Sequence, residues 1–222
     1  MPRKVRIEFA GAVYHVLDRG DRREAIFADE MDRETFLGTV EEVCRRTGWR
    51  LHAYVLMSNH YHLLLETPEP NLVAGMKWFQ STYTMRFNRR HRLSGHLFQG
   101  RYKAIVVDPE ERNYLVTLSD YIHLNPVRAG LLREGEKLFA YRWSSYPAYV
   151  KRGTMSPWWL KRETVLGELG LNDWRRRSSP LCGANEGAGA GRVGRGDKGT
   201  GLVSGRGRIS AAYARPAGWD ER

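Results

Sequence analysis

Apolar residues along this chain recur at two spacings, and the switches between them outline its elements. Ala12-Val13-Tyr14-His15-Val16-Leu17 is rich in strand formers and is closed by Asp18-Arg19-Gly20-Asp21, whose Gly and Asp favour a turn, so a first strand is predicted. Between Asp29 and Thr47, Phe36, Leu37, Val40, Val43 and Cys44 recur every three or four residues and Gly48 offers a stop, which predicts an amphipathic helix. From Trp49 to Met57 the period falls to two, with Leu51, Ala53, Val55 and Met57 expected on one strand face. Ser58-Asn59 interrupt the run. A second strand over Tyr61 to Glu66 then completes an antiparallel hairpin with His60 at its edge.

A second helix is predicted over Asn71 to Arg90, striped by Leu72, Met76, Phe79, Tyr83 and Phe87. The glycine-punctuated segment Gly95 to Gly100 reads as a loop, and Arg101 to Val107 as a strand. A third helix opens with Asp108 as N-cap and Pro109 at its first position, and ends near Leu124 because Pro126 disfavours helical geometry in the residue before it. This order of strands and helices predicts an α+β fold, a central, mostly antiparallel sheet flanked by helices.

Residues 1–135 read as the main domain. Residues 136–174 are aromatic and basic, and are expected to pack on it as an extension, with another helix from Ser156-Pro157-Trp158-Trp159 to about Gly167. From residue 175 the chain turns to Gly, Ala, Arg and Ser, a composition expected to be disordered because it buries too little apolar surface to offset chain entropy.

Composition narrows the function. The 222 residues are 41% hydrophobic, enough for a real core. No stretch approaches the roughly 20 apolar residues of a membrane span, and the N-terminus lacks an apolar signal segment, so a cytoplasmic location is expected. Cys44 and Cys182 lie far apart in unlike contexts, which argues against a disulfide framework or a thiolate metal cluster. Any metal here must use His, Asn, Asp or Glu. The formal net charge of +11 points to a polyanionic partner, although part of it sits in the tail.

The candidate chemistry begins at His60-Tyr61-His62. Side chains two apart on a strand share a face, so the two imidazoles form half of a possible metal site; the competing reading is a solvated turn histidine beside a half-buried one. Imidazole suits Mn, Zn or Ni, whereas Mg prefers oxygen ligands. Tyr121 and Asn125 stand at i and i+4 on the third helix and share its face. If that face meets the hairpin, Asn125 can add an oxygen ligand while the Tyr121 hydroxyl approaches a polarised phosphate. On its own, Tyr121 reads first as a core or helix-surface tyrosine. Arg101, Tyr102 and Lys103 suit a strand touching DNA, the cations on phosphates and the ring against a base. Arg86 could line the same surface, or simply belong to a solvated helix end.

Together these residues resemble a known family. His60-Tyr61-His62 is similar to the His-hydrophobic-His motif of HUH endonucleases, and Asp120-Tyr121-Ile122-His123-Leu124-Asn125-Pro126-Val127 to the nucleophile helix of single-tyrosine transposases, in particular the REP-associated type. Tyr14-His15-Val16 leading to Arg19-Gly20, Met57-Ser58-Asn59, and Gly95-His96-Leu97-Phe98-Gln99-Gly100-Arg101-Tyr102-Lys103 extend the likeness over roughly Val13 to Tyr146.

The resemblance implies a metal-dependent enzyme that nicks and rejoins hairpin- or repeat-bearing single-stranded DNA through a 5′-phosphotyrosine. Tyr121 would be the nucleophile, His60, His62 and Asn125 the ligands of Mg2+ or Mn2+, and Arg19, Arg86, Arg101, Tyr102 and Lys103 the DNA contacts. Relatives often place Gln at the Asn125 position, so the Asn shortens the reach by one methylene. The family includes monomers and homodimers. Two further readings stay open: a structured-DNA binder that has lost turnover, and a metal-dependent hydrolase that uses water.

Overall fold

Four strands, β1 (Ala12–Arg19), β2 (Arg50–Leu56), β3 (His60–Thr67) and β4 (Lys103–Val107), pair antiparallel throughout in the order β2-β3-β1-β4 in the computed structural model of the chain. Six helices accompany them among the described residues: α1 (Glu30–Thr47), α2 (Leu72–His91), α3 (Tyr114–His123), α4 (Asn125–Arg128), α5 (Tyr146–Val150) and α6 (Glu163–Glu168). The structure describes residues 6–107, 113–151 and 156–170, all within a compact unit, Met1–Asn172. The expected disordered tail and the expected helix start at Asp108-Pro109 lie outside the described residues.

The α+β expectation holds. β3 divides the interior in two, because its alternate side chains point to opposite faces of the sheet. Tyr61, Leu63 and Leu65 join Phe36 of α1 and Phe79 and Tyr83 of α2 in the larger core. Leu64 faces the other way, into a smaller core with Ala53 and Val55 of β2 and Leu115, Leu118 and Ile122 of α3. α1 starts where Asp29 accepts a hydrogen bond from the Asp32 amide (3.1 Å) and stops where Gly48 turns left-handed at φ 74°.

β2 departs from the expected single face. Leu51 pairs with Leu65, yet Ala53 pairs with Leu64, so His52 is an extra residue in a bulge. The insertion reverses the alternation: Leu51 lies in the larger core with Tyr54 and Leu56, whereas Ala53, Val55 and Met57 face α3. At the far end, α3 stops at His123 as the proline predicts. The chain then makes a further turn, α4, with Pro126 in its first turn, where no amide hydrogen is needed.

Residues beyond Gly135 cover the outer edge of β2. The Ser145 amide donates to the Tyr54 carbonyl (3.0 Å), the Leu56 amide to Trp143 (2.8 Å), the Leu51 amide to Trp159 (2.9 Å) and the Lys161 amide to Leu51 (2.6 Å). An edge that would otherwise expose unpaired backbone groups is thereby closed. The helix expected from Ser156 begins only at Glu163; Trp159 ahead of it packs on Tyr54, with ring centres 5.9 Å apart.

Where α2 crosses Trp49, only glycine fits. A Cβ on Gly75 would lie 2.2 Å from the indole ring, which is held by its own hydrogen bond to Asn71 (2.6 Å). Gly38 in α1 has open space within 4 Å of the same position. Denaturant unfolding should therefore show Gly75→Ala destabilised by about 1–3 kcal/mol through overpacking, and Gly38→Ala stabilised by up to about 1 kcal/mol through helix propensity. Indistinguishable midpoints for the two variants would contradict this packing.

Candidate active site

One row of paired residues crosses the sheet: Val55 on β2, His62 on β3, Leu17 on β1 and Lys103 on β4. Directly paired side chains share a face, so Lys103 emerges two strands from His62 on the side that carries α3. His60 and His15 lie on this face too. The rings of His60 and His62 are 5.2 Å apart and edge-on at 82°, while His15 stacks on His62 at 5.2 Å and 25°.

Tyr121 closes the cluster from above. α3 is anchored by Leu115, Leu118 and Ile122, and this seating brings the Tyr121 ring edge-on to His62 at 6.0 Å and to His15 at 6.2 Å. The structure thus brings together the histidine pair and the tyrosine that the sequence places far apart. Asn125 follows one turn later, at the start of α4, and its Nδ2 donates to the carbonyls of Tyr121 (2.9 Å) and Ile122 (3.3 Å). These bonds orient the carboxamide, so Oδ1 is the atom that could serve a metal. The Arg128 guanidinium stands over the Tyr121 ring at 4.7 Å.

The histidines suit a divalent ion. Nδ1 of His62 faces Nε2 of His15 at 3.0 Å, and Nδ1 of His60 faces the Asn59 side-chain oxygen at 2.8 Å, so Nε2 would be the ligating nitrogen of each. Burial, reinforced by His15 and His60, holds His62 well below its ordinary value, and burial alone pushes His15 down to about 3. His62 is therefore neutral at physiological pH, as a metal ligand must be. Among the described residues no group of three or more His, Cys, Asp or Glu is arranged for a metal. Two imidazoles need a further oxygen to complete a site, and that donor set fits an ion of the Mn2+ kind better than Mg2+.

The expected DNA contacts divide. Lys103 and Arg101 are exposed, and Arg19 is half-buried, its Nε donating to Gln99 (2.6 Å). Two side chains are placed differently from the expected open surface. Tyr102 is 7% exposed with the Arg6 guanidinium 3.6 Å over its ring, so its face is already covered. Arg86 bridges α2 to α1 by donating to Thr39 (2.8 Å) and Glu42 (3.0 Å). His15 and Asn59 lie in segments that carry the family likeness but have no expected role, and Arg128 lies outside the expected site. A histidine inside the apolar β1 run was the available signal for His15, and the two-turn spacing from Tyr121 for Arg128.

His123 points away from the cluster. It is buried, its Nε2 lies 2.7 Å from the Ser145 hydroxyl, and its ring rests against Tyr146 and Tyr149.

A family model described as IS200-like transposase matches residues 9–125, a stretch that contains every member of the cluster except Arg128. A solved REP-associated tyrosine transposase bound to a REP hairpin is similar in fold, with a TM-score of 0.56 at 18% identity, covering 70% of this chain and 89% of that one. Two overlays at a TM-score of 0.38 are too partial to bear on the fold. One is a candidate transposase from Deinococcus radiodurans (20% identical, 55% of this chain, 95% of that one). The other is tRNA(His) guanylyltransferase from Saccharomyces cerevisiae (10% identical, 79% of this chain, 85% of that one). No curated protein matches the chain.

Burial holds His123 at about 3, whereas an unfolded histidine titrates near 6.5. The unfolded chain therefore binds more protons across that window, so this contribution to stability is whole above pH 6.5 and falls as the pH drops, by up to about 1.4 kcal/mol per pH unit. In unfolding curves between pH 6.5 and 4, His123→Gln should lose stability less steeply than wild type; equal slopes would show that His123 is not held neutral.

Proposed function

The chain belongs to the IS200-like transposase family, and on that premise we propose that it nicks and rejoins single-stranded DNA bearing hairpins or palindromic repeats, through a covalent 5′-phosphotyrosine at Tyr121. The observation that carries the reading is the meeting of Tyr121 with His62 and His15, three groups from three separate elements, on one face of the sheet. A solved REP-associated tyrosine transposase bound to a REP hairpin, similar in fold, suggests the substrate class we favour.

In this reading the Tyr121 oxygen attacks the scissile phosphorus and the bond to the 3′ oxygen breaks. That oxygen takes up a proton to leave a 3′-hydroxyl, which later reverses the step on the same or another strand. A phenol is a weak nucleophile, with an ordinary pKa of about 10. The Arg128 guanidinium over its ring is exposed and can hold the phosphate beside the phenol oxygen. His60 and His62 would hold the divalent ion, Mn2+ or Mg2+, with Asn125 as the oxygen ligand. That ion would polarise and orient the phosphate. Arg19, Arg101 and Lys103 would carry the strand towards the site by phosphate contacts, which position DNA without reading its sequence.

No helix among the described residues is long and apolar enough to cross a membrane. Incubation with a labelled hairpin oligonucleotide and Mn2+ should yield a protein–DNA adduct that Tyr121→Phe abolishes and that chelation or His60→Ala reduces at least about a hundredfold. Tight DNA binding without cleavage would identify a binder that has lost turnover. Cleavage without any adduct would identify a hydrolase that uses water.

A further inference from the structure

The turn before His60 connects the candidate ligand to a strained basic loop. Asn59 is half-buried and uses both ends of its carboxamide: Oδ1 lies 2.8 Å from Nδ1 of His60, and Nδ2 donates to the Arg23 carbonyl at 3.1 Å. Around it, the Gly20 amide donates to the Asn59 carbonyl (2.8 Å) and the Ile26 amide to Ser58 (3.1 Å), so the segment 20–26 lies against the turn. Gly20 is required for this fit, because a Cβ there would meet the Glu24 carbonyl oxygen at 2.1 Å.

The chemistry of these partners leaves one arrangement. A carbonyl oxygen only accepts, so the Arg23 carbonyl must face the NH2 of Asn59. The Asn59 oxygen must then face His60, which makes Nδ1 of His60 the protonated nitrogen and places the lone pair on Nε2. The tautomer of a candidate metal ligand is thus set from the backbone of the neighbouring loop. That loop has reason to be held: Arg22 (φ 50°) and Arg23 (φ 63°) are consecutive left-handed residues with side chains, a conformation that persists only when neighbours enforce it.

We propose that Asn59 is a positioning residue, which locks His60 in its metal-ligating tautomer and ties it to the seating of the Arg22–Arg23 loop. The proposal rests on the reading of His60 as a metal ligand. Asp in place of Asn keeps the acceptor for His60 but loses the donor to Arg23, so two variants separate the two ends.

Nitrogen-15 NMR of the histidines in metal-free protein should show Nδ1–H at His60 in wild type and in Asn59→Asp, and a tautomer mixture in Asn59→Ala. Mn2+ titration calorimetry should show a loss of about 10–100-fold for Asn59→Ala, the usual cost of removing a ligand's supporting hydrogen bond, and near-wild-type affinity for Asn59→Asp. Limited trypsin digestion after Arg22 and Arg23 should quicken in both. Wild-type tautomer and wild-type affinity in Asn59→Ala would overturn the proposal, as would an unchanged digestion rate in both variants. If wild type binds no Mn2+, or His60→Ala binds it equally well, the metal reading fails instead, and the tautomer populations still judge the hold of Asn59 on His60.

Discussion

Everything at the site depends on the alternation of β3. Its odd-numbered positions, Tyr61, Leu63 and Leu65, are locked into the core beneath α1 and α2, and this forces His62 and Leu64 to the face of α3. A slip of one residue would bury both imidazoles among Phe36, Phe79 and Tyr83 and turn Tyr61, Leu63 and Leu65 towards α3, so the packing of the larger core is what fixes the aim of the histidines. His15 is aimed in the same way from β1, where Tyr14 and Val16 belong to the larger core.

The price of this arrangement is the burial of imidazoles, which is tolerable because they are neutral and bonded to one another. His15 lies against Nδ1 of His62, and Asn59 against Nδ1 of His60. Such bonds hold the orientation of the rings. α3 brings Tyr121 to the same place through three aliphatic contacts and carries Arg128 with it one helical segment later. The extension stabilises the scaffold at a distance, by completing the backbone hydrogen bonds of β2 rather than by entering the cluster.

The elements whose two faces differ in polarity were legible in the sequence, as α1 and α2 illustrate. β2 was not, because both of its faces are buried and its residues 51–57 are nearly all apolar, so periodicity could not reveal the extra residue at His52. The histidine pair and Tyr121 were legible as residue types at telling spacings, and their encounter depended on a tertiary contact that no local pattern encodes. Arg86 and Tyr102 show the opposite failure. A basic or aromatic residue beside a candidate surface looks available until its partners, Glu42 for one and Arg6 for the other, are brought in by folding. His15 was visible in a segment that carries the family likeness, but a lone histidine in an apolar strand has no spacing that assigns it to a site.

The central claim is that Tyr121, and no other hydroxyl, becomes joined to DNA beside the histidine pair. Trypsin should release residues 113–128 as one peptide, Asn113-Tyr114-Leu115 through to Arg128, which contains both Tyr114 and Tyr121. Fragment mass spectrometry of that peptide after reaction with a hairpin oligonucleotide and nuclease trimming should place the residual nucleotide on Tyr121. A nucleotide on Tyr114, or on a peptide outside this segment, would contradict the account.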